Sequence, residues 1–268
     1  MPAIKEDVLM RMQRDLERAL KKPVGQRAWA MVIDTRKCSA CRSCVVACIS
    51  ENALPPGVSY RRVSEIESGS YPEVTKVSMP FNCFQCDDPP CVKAGPKGAL
   101  QKRPDGIVTL DYSRFSTPEE VKKVMDACPY GAISKDEGRY WSEGTPELAP
   151  YDIQKPSYEY GVKSLRKRGK LPMGAPRKCH FCLHRLEQGM LPSCVVNCIC
   201  GATYFGDLND PDSLVSELMA QNTSFQKDDG YPTHPRVYYL AESFKAEESL
   251  KACSLCHTGT EVKHNVRK

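Results

Sequence analysis

Cys38-Ser-Ala-Cys41-Arg-Ser-Cys44-Val-Val-Ala-Cys48 constrains this chain more than any other stretch. Its spacing is C-x2-C-x2-C-x3-C. In that arrangement three thiolates wrap one face of an iron–sulfur cube, while the fourth opens a helix, points away and ligates a neighbouring cube. The run therefore demands partner cysteines elsewhere, and a fold that brings distant loops together.

The chain supplies them. A second group is Cys83-Phe-Gln-Cys86-Asp-Asp-Pro-Pro-Cys91 and a third is the lone Cys128-Pro-Tyr-Gly. A fourth runs Cys179-His-Phe-Cys182, then Cys194 and Cys198, with Cys200 close behind. The total of 15 Cys is odd, and most are closely spaced, which argues for metal rather than a disulfide framework. Structural zinc would use two C-x2-C pairs or a Cys/His set and has no need of an outward fourth thiolate. The 38 basic and 33 acidic residues are interspersed, so no nucleic-acid surface is read. No apolar stretch is long enough to span a membrane. The N-terminus has no apolar core or twin-arginine motif, so no signal peptide is expected.

Residues 1–27 are expected to form an appendage. Ile4, Val8, Leu9, Met12, Leu16, Ala19 and Leu20 make one helical stripe ending before Pro23, which either packs on this chain's own body or, the reading preferred, docks on a partner. Ala28–Ile33, Val74–Met79 and Gly106–Leu110 read as strands, and residues 50–80 otherwise as a polar, turn-rich excursion. Thr117-Pro-Glu-Glu120 reads as a capping box with Pro at the first helical position. Residues 142–177, rich in Pro, Gly, Tyr and Lys, read as an insertion, either an arm wrapping a neighbouring subunit or a solvated loop.

Four Cys groups in this order, together with Phe81–Cys91, Asp105-Gly-Ile-Val, Ala127–Ala132, Arg177–Cys182 and Phe205–Pro211, resemble the iron–sulfur subunit of the DMSO reductase family of molybdopterin oxidoreductases. The likeness spans residues 28–212. It implies an α+β fold of two pseudo-symmetric bacterial ferredoxin-like [4Fe-4S] halves, with long loop insertions and terminal extensions; residues 213–268 are taken as the C-terminal extension. Crossing the fourth cysteines between paired groups then gives three ligand sets: Cys38, Cys41, Cys44 and Cys198; Cys48, Cys179, Cys182 and Cys194; and Cys83, Cys86, Cys91 and Cys128. A fourth set would need cysteines at Gly95, Pro118, Val121 and Val124, and none is present. The expectation is three [4Fe-4S] clusters, with a capped helix in place of the missing ligand turn. Cys200 is left over and is expected to be a buried thiol.

The tail, Cys253-Ser-Leu-Cys256-His257, has the C-x-x-C-H pattern of c-type haem attachment. Cys253 and Cys256 would add to the haem vinyl groups and His257 would be the proximal ligand, with His264 or a partner supplying the second axial position. The other reading is a Cys pair binding zinc or nothing.

There is no nucleophile constellation, phosphate loop or dinucleotide fingerprint. The chain is therefore read as a non-catalytic electron-transfer subunit. It is expected to work between a molybdopterin catalytic subunit and a membrane quinone-interacting or cytochrome subunit; a diffusible polyferredoxin-type carrier is the alternative. By resemblance the Cys38 set faces the catalytic subunit, and the lost cluster is the distal one. Haem attachment takes place outside the cytoplasm, so co-export with a signal-bearing catalytic subunit is expected, placing the chain on the outer (periplasmic) face of the membrane; the cytoplasmic face is the alternative.

Overall fold

The structure is a computed structural model that describes residues 7–149, 152, 156–157, 164–165, 172–227 and 230–240. It opens with helix α1, Val8–Leu20, started by Asp7, whose carboxylate accepts from the N–H groups of Leu9 and Met10 at 2.8 and 3.1 Å. The stripe read from the sequence is buried from Met12 onward, but against this chain's own core: Met12, Leu16 and Ala19 are inside. Buried Asp15 accepts from the N–H of Leu214, and Arg18 and Lys22 pair with Asp210 and Asp207. What α1 leaves for a partner is its first turn, where Val8, Leu9 and Met10 are exposed.

Strand β1, Trp29–Asp34, is buried along its whole length because it is the inner strand of a four-stranded sheet. The hairpin of β2 (Arg61–Ser70) and β3 (Glu73–Asn82) follows, then the short ribbon of β4 (Leu100–Lys102) and β5 (Val108–Leu110). Further on, β6 (Ile133–Lys135) pairs with β9 (Pro176–Lys178), and β7 (Pro156–Ser157) with β8 (Ser164–Leu165). The sheet is completed by β10 (Thr203–Asp207), β11 (Ser224–Phe225) and β12 (Val237–Leu240). Here β1 lies antiparallel to β10 and parallel to β12. This mixed α/β content, short ribbons around cysteine loops, agrees with a ferredoxin-like fold at the level of class.

Two boundaries differ from expectation. Residues 213–240, read as the start of an extension, contribute the helix Leu214–Gln221 and β12 to the main core. The excursion at 50–80 contains all of β2 and is anchored at its base by buried Arg61. Nearly half of the 142–177 insertion, including the stretch Lys163–Lys170 apart from β8, lies outside the described residues. At its base Arg177 donates to Asp136 at 3.2 Å, both side chains fully buried. No helix among the described residues is long and apolar enough to cross a membrane.

Candidate functional site

The other helices of the core carry the cysteines or replace them. Helix α2, Ser43–Glu51, carries Cys44 and Cys48 one turn apart, both buried. Helix α3, Pro90–Ala94, carries Cys91. Helix α4, Pro118–Asp126, carries no cysteine. The short helices α5 (Leu183–Leu186) and α6 (Ser193–Val196) hold the segment from Cys182 to Cys194. Every described cysteine is a free thiol.

Eight of the described cysteines line two cavities, four in each. Cys48, Cys179, Cys182 and Cys194 line one cavity of ≈ 290 Å³, shared with Met31, Arg61 and Asn82. Burial, then the thiolates of Cys182, Cys194 and Cys179, push the Cys48 thiol well up. Cys83, Cys86, Cys91 and Cys128 line a second cavity of ≈ 350 Å³. Burial and then Cys83 push Cys86 and Cys91 up to about 12. Cys38 lies beside Cys44 and Cys198, and burial followed by the N–H of Ala40 and those two thiolates sets its net upward shift. Cys41, on the same loop, is exposed and is held down by the backbone N–H and hydroxyl of Ser43. The sets follow one another: Cys194 feels Cys44 and Cys198, and Cys179 feels Cys83. Among the described residues no three Cys, His, Asp or Glu side chains converge closely enough to hold a single metal ion. The thiols of the Cys48 and Cys83 sets stand around a space.

Backbone conformation repeats from group to group. In the first C-x-x-C of three groups the residue before the second Cys is left-handed: Ala40 at φ 56°, Gln85 at 51° and Phe181 at 53°. For non-glycine residues this costs about 1–3 kcal/mol and persists only where surroundings enforce it. Such a residue turns successive N–H groups inward, the nest geometry that recurs at phosphate and iron–sulfur sites. The N–H of Phe181 donates to Cys179 Sγ at 3.4 Å, and Asn52 Nδ2 to Cys48 Sγ at 3.5 Å. Thiolates, inward N–H groups and a buried guanidinium, Arg61, form a donor set that fits an anionic iron–sulfur group.

The relatives of this chain agree with that chemistry. Residues 74–145 and 167–208 match the 4Fe-4S dicluster domain family. The B subunit of the selenate reductase of Mesobacillus selenatarsenatis is 50% identical over 235 residues, 88% of this chain and 79% of that protein. The chain belongs to the iron–sulfur subunits of the molybdopterin reductases. The arsenate respiratory reductase iron–sulfur subunit of Shewanella sp. is 35% identical over 78% of this chain and 94% of its own length. The B subunit of the tetrathionate reductase of Salmonella typhimurium is 33% identical over 79% of this chain and 72% of its own length.

The positions at which a fourth ligand set would need cysteines hold Gly95, Pro118, Val121 and Val124. Gly95 follows Cys91 where a crossing cysteine would stand, and a Cβ there would meet Leu100 Cδ1 at 2.9 Å and Val124 Cγ2 at 3.3 Å. Leu100, Val108, Leu110, Tyr112 and Val124 form an apolar cluster around it. Thr117 caps α4 by accepting from the Glu120 N–H at 3.3 Å, and Glu120 accepts in return from the Thr117 N–H at 3.2 Å. Cys200 is half-buried rather than buried, with its Sγ 3.0 Å from Ser39 Oγ. Cys253, Cys256, His257 and His264 lie outside the described residues.

Sequence reasoning missed the polar residues between the sets. Asn52 could have been found, since it lies one helical turn after Cys48. Arg61 and Lys178 carried no signal. Lys178 is buried and donates from Nζ to the carbonyls of Val108 and Cys179 at 2.5 and 2.8 Å.

Proposed function

We propose that this chain is the electron-transfer subunit of a molybdopterin reductase complex and holds three [4Fe-4S] clusters in series. One would be held by Cys38, Cys41, Cys44 and Cys198, the next by Cys48, Cys179, Cys182 and Cys194, the third by Cys83, Cys86, Cys91 and Cys128. When bound, such clusters supply one-electron exchange at potentials that burial and hydrogen bonds to sulfur adjust. The observation that carries the reading is the repeated left-handed C-x-x-C turn in three groups, set against the ordinary capped helix at 118–126.

The protein's own part is to bury the thiolates, aim N–H groups at them and keep neighbouring sets adjacent. A pseudo-twofold relation between the halves is supported by two matching turns. Gly131 at φ 56° and Gly201 at φ 58° each donate to the carbonyl of the Cys three residues before, at 3.1 and 2.9 Å. The Cys38 set is the outermost, with Cys41 exposed and the apolar Val46 and Ile199 beside it 66% and 73% exposed. That rim suits contact with a catalytic subunit. A quinone-interacting or cytochrome subunit would take the electron at the far end.

Iron and acid-labile sulfide in anaerobically purified protein test the count. About twelve of each is expected from the ligand pattern, and about sixteen would establish a fourth cluster. Size-exclusion of native extract tests the subunit assignment, which fails if the chain migrates alone.

A further inference from the structure

Arg61 is buried at the base of β2. Its Nη1 donates to Asn82 Oδ1 at 2.6 Å and to Met31 Sδ at 3.1 Å, and its Nη2 to Thr203 Oγ1 at 3.1 Å. Its Nε has no acceptor among the described residues, and it forms no ion pair with a carboxylate there. Arg177, equally buried, shows the usual solution, since Asp136 stands 3.2 Å away. Burying an uncompensated cation costs several kcal/mol, so an anion must stand near Arg61.

The surroundings identify it. Arg61 lines the ≈ 290 Å³ cavity of the Cys48, Cys179, Cys182 and Cys194 set. It also makes a side-chain hydrogen bond with Cys44 of the Cys38 set.

We propose that Arg61 is a positioning residue placed between the first and second ligand sets, whose single charge compensates the anionic groups on both sides and raises the reduction potential of both clusters together. This rests on the three-cluster reading. Reduction adds one electron to a cluster and no proton; the fixed guanidinium favours the more negative, reduced form. Removing the charge should make both clusters harder to reduce. The third set lies beside Lys178 instead, whose Nζ donates to the carbonyl of Val108, a lining residue of that cavity.

The test uses the holoprotein with Arg61→Gln and Arg61→Lys, EPR-monitored redox titration with dithionite as reductant, and iron analysis. In R61Q two of the three clusters should become at least tenfold harder to reduce, a downward shift of about 59 mV or more for a one-electron couple, with the third unmoved. R61K should recover most of the shift. Unchanged potentials in iron-replete R61Q would overturn the proposal, as would an equal shift of all three. Should R61Q not retain iron, pulsed EPR on protein labelled with arginine-15N decides. Nitrogen coupling to two reduced clusters in the unmutated protein, lost in R61K, supports the proposal, and its absence in the unmutated protein refutes it. Iron content of the unmutated protein tests the three-cluster reading separately; the potentials test Arg61 whatever that count.

Discussion

Cys198 Sγ accepts a hydrogen bond from the backbone N–H of Ala202 at 3.2 Å, and the same contact recurs between Cys128 and Ala132 at 3.4 Å. Each cysteine is the crossing member of its expected set, so each should serve thiols far away in sequence. Cys128→Ser should therefore abolish or alter the EPR signal of the cluster assigned to Cys83, Cys86 and Cys91 alone. Cys198→Ser should do the same to the Cys38 cluster. Damage to the Cys38 or Cys179 cluster in C128S, with the Cys83 cluster intact, would contradict the crossed pairing.

Gly95→Cys tests whether the fourth set is dormant or gone. A Cβ would press on Leu100 and Val124 inside a filled apolar cluster, and such overpacking costs about 1–3 kcal/mol. The expected outcome is a lower midpoint of anaerobic thermal unfolding with iron content unchanged. A gain of about four iron atoms, one further cube, would mean the site can still assemble.

Val46→Glu addresses the rim beside the Cys38 set. Val46 lies on α2 between Cys44 and Cys48 and is 66% exposed, so the change should leave folding and iron content nearly intact. It should reduce the amount of catalytic subunit that co-purifies. Unchanged recovery of the complex would move the docking face elsewhere.

The C-x-x-C-H tail is decided by covalent haem staining of the denatured chain, combined with fractionation. Staining together with recovery from the outer-face membrane fraction is expected if Cys253 and Cys256 hold haem. Staining without export would remove the localisation argument. Export without staining would leave the tail as a Cys pair and assign the electron's exit to a partner.

That Cys48 would stand with Cys179, Cys182 and Cys194, and Cys128 with Cys83, Cys86 and Cys91, was legible from the cysteine spacing taken together with the family resemblance. The cap at Thr117 was legible too, being a local hydrogen-bond pattern written in four residues. Strand β2 was not, since much of its length and that of β3 faces solvent and lacks an apolar alternation. The helical stripe was visible from Val8 to Leu20, but nothing in it distinguished a partner's surface from the chain's own sheet. Arg61 was invisible because a charged residue in a polar stretch reads as surface; only the loops that converge from Met31, Asn82 and Thr203 bury it.

The central strand β1 carries a consequence for biogenesis. Its two neighbours, Thr203–Asp207 and Val237–Leu240, are made long after it. Until they emerge from the ribosome, Trp29–Asp34 is an apolar strand with both edges bare, the kind of segment that invites wrong pairing. Such long-range pairings also fold slowly. The strand that centres the sheet is thus open to wrong pairing until residues 203–240 are made.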